Sequence, residues 1–242
     1  MELTGAGRTD RGRVRPHNED ALLIDVSRGL FAVADGMGGH AAGEVASRLA
    51  IETIDSLLQQ PAGGETDPTA RLREAIDEAN RRIASQIEQQ PEYQGMGTTL
   101  VVAVANRDRF WIAHVGDSRA YLVRGEEIRQ LTADHSFVNE LVRLGMLSRE
   151  QAARDPRRNV VTRALGSGAV VVPEIQEQRV QAGDLLLLCS DGLTTMLGDE
   201  RILSIVRAAP DLETGCEQLV AAANDAGGED NVTIILARLT PE

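Results

Sequence analysis

Three times in this chain an apolar, strand-forming run ends on an aspartate followed by a small residue. Phe31-Ala32-Val33-Ala34 leads into Asp35-Gly36, Trp111-Ile112-Ala113-His114-Val115-Gly116 into Asp117-Ser118, and the run 185–190 into Asp191-Gly192. A fourth aspartate reverses the order: Gly227-Gly228-Glu229 precedes Asp230-Asn231, which opens the run Val232-Thr233-Ile234-Ile235-Leu236. A charge at the end of a buried strand is costly unless it is paired or metal-bound. One such aspartate is ordinarily a turn former. Four of them, beside residues small enough for close backbone approach, point to convergence on a cation. The donors are oxygens and no histidine–cysteine spacing suits zinc. Mg²⁺ or Mn²⁺ is therefore favoured, with Ca²⁺ as an alternative, non-catalytic occupant.

The remaining composition narrows the chemistry by exclusion. Two cysteines, Cys189 and Cys216, supply neither a disulfide framework nor a four-cysteine zinc site. Cys189 follows four leucines and reads as a small buried thiol. The formal charge of −12 opposes nucleic-acid binding and attraction to anionic lipid. Every basic residue is arginine, so no P-loop, kinase-strand or Schiff-base lysine exists. No apolar run approaches the roughly 20 residues of a spanning helix, and residues 1–15 are too polar for a secretory signal. A cytoplasmic location without membrane insertion is the expectation; a catalytic domain cut from a longer anchored protein would read the same.

Strand-like runs cluster at 21–26 with 30–34, at 98–105, 109–115 and 120–123, and at 185–190 with 232–239. Between them, apolar residues recur at helical spacing over 43–58 (Val45, Leu49, Thr53, Leu57) and 69–90 (Leu72, Ile76, Ala79, Ile83, Ile87). Pro61-Ala62-Gly63-Gly64 separates these two helices, which predicts an antiparallel pair. Two more helices are predicted at 200–208 and 213–226. This alternation predicts an α+β fold: two mostly antiparallel sheets packed together and flanked by helix pairs, a four-layer α/β/β/α sandwich. Residues 137–158 are charged and helical in pattern without a strong apolar stripe, and read as a surface insertion in a single domain spanning 1–242.

Eight short motifs surround the aspartates in a fixed order. They are Arg15-Pro16-His17-Asn18-Glu19-Asp20, Asp35-Gly36-Met37-Gly38-Gly39-His40, Gly95-Met96-Gly97-Thr98-Thr99, Gly116-Asp117-Ser118-Arg119, Thr132-Ala133-Asp134-His135-Ser136, Thr162-Arg163-Ala164-Leu165-Gly166, Ser190-Asp191-Gly192 and Asp230-Asn231-Val232-Thr233. Each alone is weak. The ordered series resembles the protein phosphatase 2C family of metal-dependent serine/threonine phosphatases, in its compact bacterial form, from about residue 5 to residue 239.

The resemblance implies that Asp35, Asp191 and Asp230 hold two core Mn²⁺ or Mg²⁺ ions, with Asp35 bridging and the Gly36 carbonyl as an added ligand. Glu19 and Asp20 match acidic positions that reach a metal directly or through water. Asp117, with Asp191, matches a third-metal site. A hydroxide bridging the two ions would attack phosphorus in line, without a phosphoenzyme. Arg15 matches the phosphate-gripping arginine, with Arg13 as fallback. His40 is a weak candidate for the acid that protonates the leaving oxygen, since the histidine that some members carry directly after Asp-Gly is Met37 here. Of the other histidines, His135 reads as support for its own turn and His114 as a core histidine, while His17 has no assigned role. Residues 137–158 fall where the family carries its variable flap, a place to select phosphoproteins.

The expected partners are phosphorylated proteins, namely Ser/Thr kinases and their substrates. Two other readings compete: a hydrolase of nucleotides or small phosphoesters, and a catalytically inactive phosphatase-like binding module. The presence of Asp35, Asp191 and Asp230 argues against the second.

Overall fold

The run Leu185-Leu186-Leu187-Leu188-Cys189 carries no polar residue, whereas a strand with one wet face would alternate. Such a strand needs apolar cover on both sides, and the structure provides it. The computed structural model describes residues 2–38, 42–59, 67–106, 108–168 and 170–240. In chain order its elements are β1 (Glu2–Asp10), β2 (Asp20–Asp25), β3 (Leu30–Met37), α1 (Ala42–Leu57), α2 (Pro68–Gln89), β4 (Gly97–Thr98), β5 (Leu100–Asn106), β6 (Arg109–Val115), β7 (Arg119–Arg124), β8 (Glu127–Gln130), α3 (Phe137–Arg143), α4 (Arg149–Arg154), β9 (Glu174–Arg179), β10 (Leu185–Cys189), α5 (Asp191–Thr194), α6 (Asp199–Ala208), α7 (Leu212–Asp225) and β11 (Val232–Thr240).

Two sheets result, in the orders β1-β11-β10-β7-β8 and β2-β3-β5-β6-β9, with β4 paired to β3; every pairing is antiparallel. The period-2 alternation of side chains sorts the strands' residues into separate cores. Leu30, Ala32 and Ala34 of β3 pack under α1 and α2 with Ile54, Leu72 and Ile76. Leu185, Leu187 and Cys189 of β10 pack under the other helices with Leu193, Ile202 and Leu219. The intervening residues, Phe31 and Val33 with Leu186 and Leu188, meet between the sheets. Helices, sheet, sheet and helices make four layers, as the strand and helix pattern predicted.

Several elements differ from the sequence expectation. The run 98–105 is broken at Thr99, whose amide is diverted to the Asp35 carbonyl at 2.9 Å and whose hydroxyl is held by Ser118 at 2.7 Å. Three strands had no apolar signature. β1 has glycines at positions 5 and 7, yet pairs with β11 along its whole length, from Glu2↔Thr240 to Asp10↔Val232. β8 and β9 are polar sheet edges, ordered by pairing to β7 and β6. The link Pro61-Ala62-Gly63-Gly64 lies outside the described residues, and α1 and α2 share one core. Residues 137–158 carry the short helices α3 and α4, capped by Ser136 and Ser148. Leu144 and Met146 between them are exposed.

Leu187 and Leu188 are fully buried on opposite faces of β10. Leu187→Ala and Leu188→Ala should therefore each lower urea-unfolding stability by about 2–5 kcal/mol. A large loss in only one of them would mean that one sheet face is solvated.

Candidate metal centre

Following the interlayer face along each strand leads to the site. Leu22 and Ile24 of β2 pack on the interlayer core, as do Phe31 and Val33 of β3 and Ile235 and Ala237 of β11. Two residues further along the same faces stand Asp20, Asp35 and Thr233. The core thus ends in oxygen atoms. Asp20 and Asp35 are direct cross-strand partners, and like charges in that position repel. Asp191 begins α5 just past β10, Asp117 lies in the turn between β6 and β7, and Asp230 lies just before β11.

The electrostatics record this crowding. Burial is the largest cause for each raised carboxyl and the neighbouring aspartates add to it. Asp20 is raised to about 7, with Asp191 and Asp230 contributing and hydrogen bonds from Thr233 and Ser190 opposing. Asp117 is also raised to about 7, with Asp191 and Asp134 contributing and Arg119 opposing. Asp191 is raised to about 6; Asp230 adds to the rise, and a hydrogen bond with Asp35 opposes it. Asp35 is raised well above the ordinary range, pushed further by Asp20, Asp191, Asp117 and Asp230. Glu19 is raised less, with Arg15 and His17 opposing burial. One buried oxygen of Asp20, Oδ1, has no hydrogen-bond partner among the described residues. An all-oxygen cluster whose members resist sharing negative charge, with one oxygen left unbonded, suits a hard divalent cation.

Neighbouring polar groups hold the backbone of this cluster. Ser190 Oγ donates to Asp20 Oδ2 at 2.9 Å and accepts from the Thr233 amide at 2.9 Å. The Asp35 carbonyl accepts from Thr98 Oγ1 at 2.9 Å. Asn231 accepts the Glu19 amide at 2.8 Å and donates to the carbonyls of Arg11 at 2.8 Å and His17 at 2.9 Å. That one side chain holds the loop carrying Arg15 against the aspartates. Gly36 must be glycine, because a Cβ there would lie 2.1 Å from the Gly43 carbonyl oxygen. Ser190, Thr233 and Asn231 fell within the recognised motifs, but their positioning roles arise from contacts between distant segments.

The predicted residues are placed as follows. Asp20, Asp35, Asp117, Asp191 and Asp230 come together, and the Glu19 carbonyl accepts the Gly36 amide at 3.1 Å. Arg15 reaches the cluster through an ion pair with Asp230, 2.6 Å from Nη2 to Oδ2. Arg13 is near Gly228, to whose carbonyl its amide donates at 2.8 Å. His40 lies outside the described residues. His17 is exposed and Cys189 is buried. His114, His135 and Glu174 form a separate group with ligand-type atoms within 4.8 Å of one another. There the two rings stack 19° from parallel, and His114 Nε2 and both His135 nitrogens have protein partners, an arrangement of structural support.

The family model described as protein phosphatase 2C matches residues 6–227. The chain belongs to the protein phosphatase 2C family. Among its relatives, the serine/threonine protein phosphatase PstP of Mycobacterium tuberculosis is 43% identical over 237 residues. That match covers 98% of this chain but 45% of the relative, so the chain spans about half the length of that protein. The serine/threonine phosphatase stp of Listeria welshimeri is 41% identical over 234 residues, covering 95% of this chain and 93% of the relative. A solved structure of the catalytic domain of PstP in complex with two manganese ions matches with a TM-score of 0.90 at 40% identity, over 99% of each chain. The two-sheet, four-layer architecture is therefore that of solved protein phosphatase 2C structures.

The raised carboxyls make a signed prediction for the metal-free protein. Between the ordinary carboxyl range and about 7, the folded state binds more protons than the unfolded state. Stability should then fall as pH rises from 5 to 8. Added Mn²⁺ should stabilise most at the alkaline end, where the ligands are ionised. Asp35→Asn should raise metal-free stability at pH 8, because it removes a buried carboxyl crowded by Asp20, Asp191, Asp117 and Asp230, and should weaken the Mn²⁺ response. Calorimetric Tm across pH with and without Mn²⁺ checks this; a metal-free Tm rising from pH 5 to 8 would refute it.

Proposed function

We propose that this chain is a metal-dependent protein serine/threonine phosphatase that hydrolyses phosphoserine and phosphothreonine, with Mn²⁺ or Mg²⁺ as cofactor. The observation that carries this reading is the convergence of five aspartates from distant segments on one end of the interlayer core. The chain is read as one catalytic domain, with residues 137–158 as a flap. The family relationship and the manganese-bound relative support the reading.

Asp35, Asp191 and Asp230, with the Gly36 carbonyl, would hold two core ions. Asp117 with Asp191 would hold a third, and Glu19 and Asp20 would complete the edge. Divalent cations there supply Lewis acidity, which brings the pKa of a water towards neutrality and offsets charge on the phosphoryl oxygens. The chain's own part is to gather that charge, keep it rigid and seat the phosphate. Arg15 is the residue suited to the phosphate, because a planar guanidinium can grip two of its oxygens. In the structure this side chain is engaged by Asp230, and it is half-exposed at the rim. Release from Asp230 would leave the fork available to substrate. His40 is the candidate for the acid that protonates the leaving oxygen.

Phosphorylated proteins, including Ser/Thr kinases and their substrates, are the partners this reading implies. The flap, with exposed Leu144 and Met146, is the surface on which they would be distinguished. Cytoplasmic action is part of the proposal. Among the described residues no helix is long and apolar enough to cross a membrane.

Hydrolysis of p-nitrophenyl phosphate and of phosphothreonine peptides should require Mn²⁺ or Mg²⁺ and stop with EDTA. Asp191→Ala should lose about 100-fold or more in kcat. Arg15→Ala should lose roughly 10–100-fold in kcat/KM with a raised KM, the scale of a charge-assisted contact, and Arg15→Lys should recover part of it. Folded wild type inactive with every metal would overturn the enzyme reading in favour of a binding module. Turnover of nucleotides or small phosphoesters alone would overturn the protein-substrate reading.

A further inference from the structure

The motif Thr132-Ala133-Asp134-His135-Ser136 takes no part in the cluster itself, yet His135 is nearly fully buried. Its contacts are directed to one peptide. The His135 amide donates to the Gly116 carbonyl at 2.9 Å, and the Gly116 amide donates back to His135 Nδ1 at 3.1 Å. Gly116 immediately precedes Asp117 and has a φ of +105°, a conformation that L side chains rarely adopt. Both backbone hydrogen-bonding groups of the residue preceding Asp117 are thus engaged by a single histidine.

The ring's other contacts determine what Nδ1 can do. Because Nδ1 accepts an N–H, the proton must sit on Nε2. Nε2 faces Glu174 Oε1 at 3.1 Å, which suits a donor. His114 stacks on the ring at 4.6 Å, and its own Nε2 pairs with the Ala133 carbonyl at 2.9 Å. Arg163 Nη1 lies 3.3 Å from Nε2 itself and 3.6 Å from the same Glu174 oxygen; a guanidinium can only donate, so with Nε2 protonated it serves the carboxylate and not the ring, and the tautomer is fixed by the Gly116 N–H on Nδ1. On the far side, the His135 carbonyl accepts the Thr162 amide at 2.8 Å, and Ser136 caps α3. Beside it, Asp134 pairs with Arg119, 2.7 Å from Nη2 to Oδ2. The turn therefore grips both ends of the Gly116-Asp117-Ser118-Arg119 motif and the base of the flap.

We infer that His135, in its Nε2–H tautomer, is a positioning residue that clamps the Gly116 peptide and so aims the Asp117 carboxylate at the cation site it shares with Asp191. The inference rests on the proposed role of Asp117 as a metal ligand. The clamp also places flap and metal ligand on one turn, so that a variant on either side of His135 can act on the other.

Three measurements on the intact protein test it. Long-range ¹H–¹⁵N spectra of the wild type should show His135 Nδ1 bare and Nε2 protonated; the opposite tautomer would overturn the inference without any variant. His135→Asn and His135→Gln separate the clamp from mere filling of space, since an Asn oxygen can stand in for Nδ1 whereas Gln reaches only the Nε2 position. His135→Gln should speed exchange of the Gly116 amide in metal-free protein. It should also weaken the weakest class of Mn²⁺ sites about 10–100-fold by calorimetric titration, the scale typical of ligand-orienting groups. His135→Asn should restore most of both. Equal behaviour of the two variants, or unchanged Gly116 exchange in His135→Gln, would overturn the clamp. Asp117→Asn serves as the control for the underlying reading. If it leaves Mn²⁺ binding unaltered, the ligand role of Asp117 fails, and the aiming function falls with it even where Gly116 exchange shows the clamp to exist.

Discussion

Mutual repulsion among carboxylates at one end of the interlayer core is the interaction on which the rest of this structure depends. Two sheets meet face to face, and their shared core is apolar until it reaches Asp20, Asp35 and Thr233. Direct cross-strand pairing of Asp20 with Asp35 is an arrangement that a sheet selected only for stability would avoid. The pKa values of Asp20, Asp35, Asp117 and Asp191 are raised first by burial and then by this repulsion. A cation turns that repulsion into affinity, because it gains the attraction of every carboxylate that the empty fold must keep apart.

Such a cluster persists only if its members cannot swing away. The tethers accordingly come from neutral groups, some reaching backbone and some reaching other side chains. Ser190 joins Asp20 to β11, Asn231 joins β11 to the loop carrying Arg15, and Thr99 with Ser118 joins the ends of β5 and β7. Neutral tethers hold position without neutralising the site. The two arginines nearest the aspartates act differently: Arg15 sits at the rim, while Arg119 is committed to Asp134 and Tyr121. Most of the clustered negative charge is thus left without a protein cation beside it, an arrangement that suits a bound divalent ion.

Much of this was legible in the residues. Uninterrupted apolar runs such as 185–189 required strands covered on both faces, and the apolar spacing in 43–58 and 69–90 required amphipathic helices. Aspartates at strand ends pointed to the convergence of carboxyls that the structure brings about. β1, β8 and β9 were not legible, because each has too few apolar residues to show a strand pattern, and pairing to a neighbouring strand orders it. The break at Thr99 was equally hidden: its cause is Asp35, 64 residues away in the chain.

What the sequence by itself determined is the chemistry available: oxygen ligands in excess, arginine as the only strong cation, no thiolate or lysine nucleophile in place, and strands that must be buried on both sides. What only the tertiary structure decided is which groups act on one another. Asp20 faces Asp35 through strand register, Arg15 meets Asp230 across 215 positions, and His135 grips Gly116 from a different turn. The physical reason is range. Residue type and spacing set local conformation and burial, whereas Coulomb forces and hydrogen bonds act between atoms a few ångströms apart, and only folding sets those distances.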